Sequence, residues 1–200
     1  MKHLPTKKEL IAFEKRIADA YEKGEIPYPI HFSLGAENHT LKVFKKIKEV
    51  DWVFGSHRPH YMALCKGMPA PMLEKIIRRG DSMHVFSKKY KIYSSGIVAG
   101  HIDVALGVAQ AIKLNKTNEH VWAFIGDGGI EECSFYPAYR YAKDWNLPIT
   151  FVIENNLLSV SVPLKERHKR VPFSPDKHLM IFNYKREYPH VGTNKWVKFM

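Results

Sequence analysis

Cysteine is scarce in this chain: Cys65 and Cys133 are the only two, far apart and outside any CxxC spacing. That excludes a disulfide framework and leaves no cysteine zinc site. The two read as ordinary buried or semi-buried thiols of a reducing compartment, with the cytoplasm as the default. Long apolar runs are also missing. The longest, such as the one ending at Ile125, extend a few residues, against the roughly 20 that a bilayer-spanning helix needs. The opening Met1-Lys2-His3-Leu4-Pro5 lacks the apolar core of a secretory signal, so no membrane association is expected. No internal repeat or low-complexity tract is visible. Acidic residues are in deficit, 20 against 31 Lys and Arg, for a formal charge of +11. Such a balance attracts nucleic-acid backbones. The cations are nevertheless spread along the chain, with modest clusters at Lys45-Lys46, Arg78-Arg79, Lys88-Lys89 and Lys165 to Arg170. No nucleic-acid-binding motif accompanies them. A solvated surface or an acidic partner subunit explains the charge better.

What is present suffices for one domain. Two hundred residues, 45% of them hydrophobic, can bury a substantial core. Thr6-Lys7-Lys8-Glu9 is a capping box, followed by Leu10, Phe13, Ile17 and Tyr21 at helical spacing until Gly24. A second amphipathic helix is expected from about Ala36 to Lys48, with Leu41, Phe44 and Ile47 on one face. Asp51 to Gly55 reads as a short strand or turn, and Pro71 to Arg79 as a helix. Asp81 to Ser95 reads as a basic loop. A helix beginning near His101 is expected to bury Val104, Val108 and Ala111.

The clearest signal follows. Val121 to Ile125 is a continuous apolar run, as in a strand buried on both faces, and it ends in Gly126-Asp127-Gly128-Gly129. A helix is predicted from about Glu131 to Asp144. A second apolar strand, Ile149 to Ile153, then ends in Glu154-Asn155-Asn156. Strand, helix and strand at this spacing form a βαβ unit with parallel strands. The fold class expected is therefore α/β, a parallel sheet flanked by helices. In such sheets ligands bind beyond the carboxyl ends of the strands. That edge brings Asp127 and Asn156 together as two hard oxygen donors, suited to Mg²⁺ that shares phosphate oxygens. The N–H groups of Gly128 and Gly129, opening a helix, can point at an anion. Either feature alone is ordinary turn chemistry; at the ends of consecutive parallel strands the pair is more specific.

GDG followed by residues 129–154 and then Asn155-Asn156 resembles the thiamine-diphosphate motif of transketolases and 2-oxo acid dehydrogenases. Three further segments resemble the alpha subunit of 2-oxo acid and acetoin dehydrogenases. They are Ser33-Leu34-Gly35-Ala36-Glu37; Ser56-His57-Arg58-Pro59-His60 leading to Lys66-Gly67; and Asp81 to Phe86 with Gly96-Ile97-Val98. The resemblance covers roughly residues 30 to 160 and implies a thiamine-diphosphate-binding fold. It implies Mg²⁺ on Asp127, Asn156 and the Leu158 carbonyl. Arg58 would contact the diphosphate with His57 beside it, together with the Gly126 to Gly129 turn, while Gly96 and Val98 would contact the aminopyrimidine. His60 would line the substrate entrance; without the resemblance, His57 and His60 read as a hydrogen-bonded loop pair. Ala99-Gly100-His101, Asp103 and Glu131-Glu132 depart towards the transketolase pattern. There Glu132 would join a proton relay between subunits, or it is a solvent-facing glutamate favoured by a helix dipole.

The same resemblance implies a missing half. The glutamate that activates the aminopyrimidine belongs to a pyrimidine-binding domain not found in this sequence. A beta-type partner is therefore expected, in an alpha2beta2 heterotetramer acting on a small-molecule oxo acid or sugar. Residues 1–164 are taken as the cofactor-binding domain and 165–200 as an irregular extension packed on the domain or partner. In that tail His190 is a candidate replacement for the family's loop histidine, with packing as the plainer reading. Three activities follow: decarboxylation of a 2-oxo acid with acyl or aldehyde transfer, the N-terminal half of a split transketolase-like ketol transferase, or a non-catalytic scaffold of the same fold.

Overall fold

The computed structural model describes residues 4–169 and 171–198. The opening Met1-Lys2-His3 and Arg170, the end of one basic cluster, lie outside the described residues.

Helix α1 (Lys7–Glu22) starts where its capping box dictates. The Thr6 hydroxyl accepts from the Glu9 N–H at 3.2 Å, and the Glu9 carboxylate accepts from the Thr6 N–H at 2.6 Å. The helix buries Leu10, Phe13 and Ile17, and Glu14 among them. Helix α2 (Glu37–Phe44) is shorter than expected. The chain leaves it in tight turns because the buried Lys66 ammonium reaches in and donates to the carbonyls of Lys48, Glu49 and Asp51, at 3.3, 2.8 and 2.6 Å. Strand β1 (Trp52–Gly55) follows, then helices α3 (His60–Cys65) and α4 (Ala70–Arg78).

The stretch expected to be a basic loop instead holds β2 (Phe86–Ser87) and β3 (Ile92–Ser94). Lysines 88, 89 and 91 disguise it, yet Ile92 is fully buried, and Lys91 leans over the Trp52 ring while pairing with Glu119 at 2.5 Å. Helix α5 (Ile102–Leu114) buries Ile102, Ala105, Ala109 and Ile112; Val104 and Ala111 face outward and Val108 is only half-buried. The small alanines are the true inner face, because they let α5 approach the sheet closely. Strand β4 (Val121–Gly126) leads into a 3-10 turn (Gly129–Glu131), so α6 (Phe135–Asp144) begins later than expected. Strand β5 (Ile149–Asn155) precedes a hairpin of β6 (Leu158–Ser159) and β7 (Val162–Pro163), a short helix α7 (Leu164–Arg167) and strand β8 (Leu179–Asn183).

The main sheet has the order β2-β3-β1-β4-β5-β8, parallel except for β2. Residues 165–200 are therefore not wholly irregular: β8 pairs with β5 from Phe151↔Leu179 to Asn155↔Asn183. Strand alternation divides the core. Trp122, Phe124 and Val152 face a layer built on α1 to α4, whereas Ala123, Ile125, Phe151 and Ile153 face α5 and α6. Burial on both faces is what makes β4 and β5 read as unbroken apolar runs. Among the described residues, no helix is long and apolar enough to cross a membrane. Cys65 is buried and Cys133 exposed. The Arg78-Arg79 cluster is held in exposed ion pairs with Glu25, Glu74 and Asp81.

Candidate metal and anion site

The carboxyl ends of β1, β4 and β5 meet in a cleft. The turn after β1 brings Ser56, His57 and Arg58, the end of β4 brings Gly126 to Gly129, and the end of β5 brings Glu154 and Asn156. Register explains the meeting: Gly126 lies opposite Glu154 in the parallel ladder. Asp127 and Asn156 consequently face each other, and the Asn156 N–H reaches the Asp127 carboxylate at 3.4 Å. The Asn156 side chain is fixed in orientation, its Oδ1 accepting from the Leu158 N–H at 3.0 Å and its Nδ2 donating to the Tyr184 hydroxyl at 3.1 Å. Leu158, on the hairpin, lines the same cleft.

Asp127 is 1% exposed, and burial pushes its carboxyl above the usual range while Arg167 and the Asn156 N–H pull it back. An anion so buried requires a cation. Here it has one, because the Arg167 guanidinium donates to Asp127 at 2.8 Å and also pairs with Glu131. The donor set of Asp127 carboxylate and Asn156 amide oxygen fits a hard divalent ion. The preference of this spot for positive charge supports the same assignment. The two glycines are sterically required. A Cβ on Gly128 would lie 2.4 Å from the Ser159 hydroxyl, and one on Gly129 would lie 2.7 Å from Ile125. They open a 3-10 turn and not the expected α-helix.

Arg58 and the histidines form the opposite wall. The Arg58 Nε donates to the Phe32 carbonyl at 3.0 Å, and its Nη2 reaches the His190 carbonyl at 3.4 Å. The rings of His31, His57 and His190 cluster around it, with His31 at 4.9 Å from His57 and 4.7 Å from His190. Burial, with Arg58 beside them, holds all three imidazoles below the usual range, His190 at about 4. The wall is thus neutral imidazole around one fixed cation. On the cleft wall, desolvation pushes the Glu154 carboxyl up to about 7 against the pull of Arg58.

Several expected site residues are brought together here: His57, Arg58, Val98, Gly126, Asp127, Gly128, Gly129, Asn156 and Leu158 all line the cleft. Others are elsewhere. Gly96 sits under His84, where a Cβ would be 3.2 Å from its ring. His60 does not line an entrance: it is fully buried, with Nδ1 3.3 Å from Glu14 and Nε2 2.9 Å from Ser82. Its position as the first residue of α3 turns the ring inward. Glu132 is exposed, in the turn before α6 and not in that helix's first turn. His101 is buried, donating through Nε2 to the Phe124 carbonyl at 2.8 Å. Sequence reasoning missed Glu154, Tyr184 and Arg167. Only Glu154 carried a signal, a charge closing an otherwise apolar strand. His190, a minor candidate from sequence, does reach the cleft.

Comparison with known proteins gives the family. Residues 6–174 match the family model described as dehydrogenase E1 component. The pyruvate dehydrogenase E1 component subunit alpha of Rickettsia felis is 31% identical over 179 residues, covering 80% of this chain and 55% of that protein. Its counterpart in Rickettsia typhi is 32% identical over 158 residues, covering 74% and 48%. The alpha subunit of acetoin:2,6-dichlorophenolindophenol oxidoreductase from Bacillus subtilis is 29% identical over 167 residues, covering 78% and 50%. The chain spans about half the length of these curated relatives. With a parallel sheet that delivers Asp127 and Asn156 to one edge, and with the family's model matched across most of its length, this chain belongs to the dehydrogenase E1 component family.

Proposed function

We propose that this chain is the alpha-type half of a thiamine-diphosphate- and Mg²⁺-dependent enzyme. It would decarboxylate a 2-oxo acid and transfer the acyl or aldehyde unit, in an active site completed by a beta-type subunit. The observation that carries the proposal is the meeting of Asp127 with Asn156 at the ends of adjacent parallel strands, opposite Arg58. Asp127, the Asn156 amide oxygen and the Leu158 carbonyl would hold the metal. Arg58 supplies a fixed guanidinium for a diphosphate, suited to bidentate contact, with His57 beside it. Gly128 and Gly129 leave the backbone open to close approach. Val98, half exposed at the rim, and Gly96 beyond it would meet the aminopyrimidine.

When bound, thiamine diphosphate supplies a nucleophilic carbon and an electron sink. The residues of this chain would bind and orient it. The glutamate that would activate the aminopyrimidine would come from the partner's pyrimidine-binding domain, so an alpha2beta2 assembly is the unit proposed. Exposed Glu132 is available to that partner as a proton-relay group. The ketol-transfer alternative drew on Glu132 together with His101; His101 braces α5 against β4, while Glu132 stays exposed.

Calorimetry on the chain together with its partner tests this reading. Mg²⁺-dependent binding of thiamine diphosphate is expected in the mixture and is lost in Asp127→Ala. Binding that survives this substitution unchanged refutes the metal assignment, and absence of binding in the mixture supports a scaffold instead.

A further inference from the structure

Glu14 is a carboxylate on the apolar face of a helix, and it is fully buried. Its placement is costly unless every oxygen is engaged. Both oxygens accept from the Ser33 N–H, at 3.0 and 2.8 Å, and Oε1 lies 3.3 Å from His60 Nδ1. His60 Nε2 in turn lies 2.9 Å from the Ser82 hydroxyl. Acid, imidazole and serine in that order repeat the contacts of a hydrolytic triad. All three side chains are fully buried, so no substrate carbonyl can reach the Ser82 oxygen, and hydrolysis is excluded.

What the line of contacts joins is three loops, and two of them hold Arg58. The Ser33 hydroxyl donates to the Arg58 carbonyl at 3.3 Å, while the Arg58 Nε donates to the carbonyl of Phe32 at 3.0 Å. His60 ends the turn that carries Arg58. Ser82 opens the segment whose Met83 and His84 cover Gly96. We propose that Glu14 is the positioning residue for Arg58: through Ser33 on one side and His60–Ser82 on the other, its carboxylate sets where the guanidinium meets an incoming diphosphate. The inference rests on the metal–diphosphate reading given above. Glutamine keeps the volume and one acceptor but places an amide N–H₂ against either the Ser33 N–H or His60, each of which meets a carboxylate oxygen in the native chain, so Glu14→Gln loosens the line without emptying it.

The test uses the full chain mixed with its partner and titrated with Mg²⁺ and inorganic pyrophosphate by calorimetry, in a double-mutant cycle with Arg58. Glu14→Gln is expected to weaken pyrophosphate binding about tenfold when Arg58 is present, and less than about twofold in an Arg58→Ala background, because the effect travels through that side chain. A merely structural role would cost the same in both backgrounds, and that result overturns the proposal. Ser82→Ala removes a single oxygen and leaves Glu14 on Ser33. It is expected to show the same dependence on Arg58 at about threefold, and it serves as the test should Glu14→Gln fail to fold. No loss in the folded variants also overturns the proposal while leaving the diphosphate reading intact. Failure of the unaltered chain in that mixture to bind Mg²⁺ pyrophosphate overturns both.

Discussion

Arg167 occupies the position of a counter-ion to the carboxylate assigned to the metal, so removing it should strengthen metal binding. Its guanidinium lies 2.8 Å from the Asp127 carboxylate, with 12% of the arginine side chain and 1% of the aspartate exposed. Two opposite charges about 4 Å apart attract by about 4 kcal/mol at an effective dielectric constant of about 20. Desolvating and ordering the arginine offsets roughly half of that, leaving about 2 kcal/mol. A divalent cation that takes Asp127 must first displace this pair. The Arg167→Ala chain should therefore unfold about 2 kcal/mol more easily without metal. It should also bind Mn²⁺, used as a spectroscopic substitute for Mg²⁺, up to about 30-fold more tightly, since 1.4 kcal/mol is a factor of ten. Mn²⁺ titration followed by electron paramagnetic resonance measures the affinity, and urea denaturation with and without metal measures the stability. Arg167→Lys, which keeps the charge on a less suitable group, should fall between. Equal or weaker metal affinity in Arg167→Ala refutes the reasoning, because the arginine would then be neutral or helpful to the ion.

Three other outcomes follow from buried groups and close contacts. Lys66→Met keeps the apolar stem but leaves the carbonyls of Lys48, Glu49 and Asp51 without their buried ammonium; a loss of about 2–4 kcal/mol is expected in the urea midpoint. Gly128→Ala drives a Cβ into Ser159 and should impair diphosphate binding, with the Gly128→Ala, Ser159→Gly double variant recovering most of it in the same titration. Burial holds the His101 imidazole at about 4, below the ordinary value of about 6.5. The unfolded chain therefore binds the proton more readily than the folded one, and stability should fall as pH drops from about 6.5 to about 4. His101→Gln, which retains a donor towards the Phe124 carbonyl, should reduce that slope by up to about 1.4 kcal/mol per pH unit. Denaturation midpoints at pH 7, 6 and 5 provide the check.

The β4–α6–β5 unit was legible because its determinants are local. A strand buried on both faces has no polar alternation to hide it, and in a parallel pair the residues closing each strand must share an edge. Asp127 and Asn156 were identifiable as neighbours for that reason alone. The capping box before α1 was legible for the same reason, since its partners lie three residues apart. Where local chemistry misled, a distant group had intervened. Lysines concealed β3, whose partner β1 lies far back in the chain. The small alanines of α5 proved a better inner face than its valines once the sheet beneath was in place.

The sequence alone therefore determined the α/β class, the meeting of Asp127 with Asn156 and the family's motifs from Ser33 to Asn156. Tertiary structure alone decided what surrounds that pair. Tyr184 and His190 reach the cleft because β8 returns the chain beside β5, and Arg167 meets Asp127 because the hairpin after β5 folds back over it. Glu14, His60 and Ser82 come from three separate segments, and no spacing rule connects them. Residues joined by hydrogen bonds along the chain leave a pattern that can be read; those joined only when layers pack leave none. The periphery of this site belongs to the second kind.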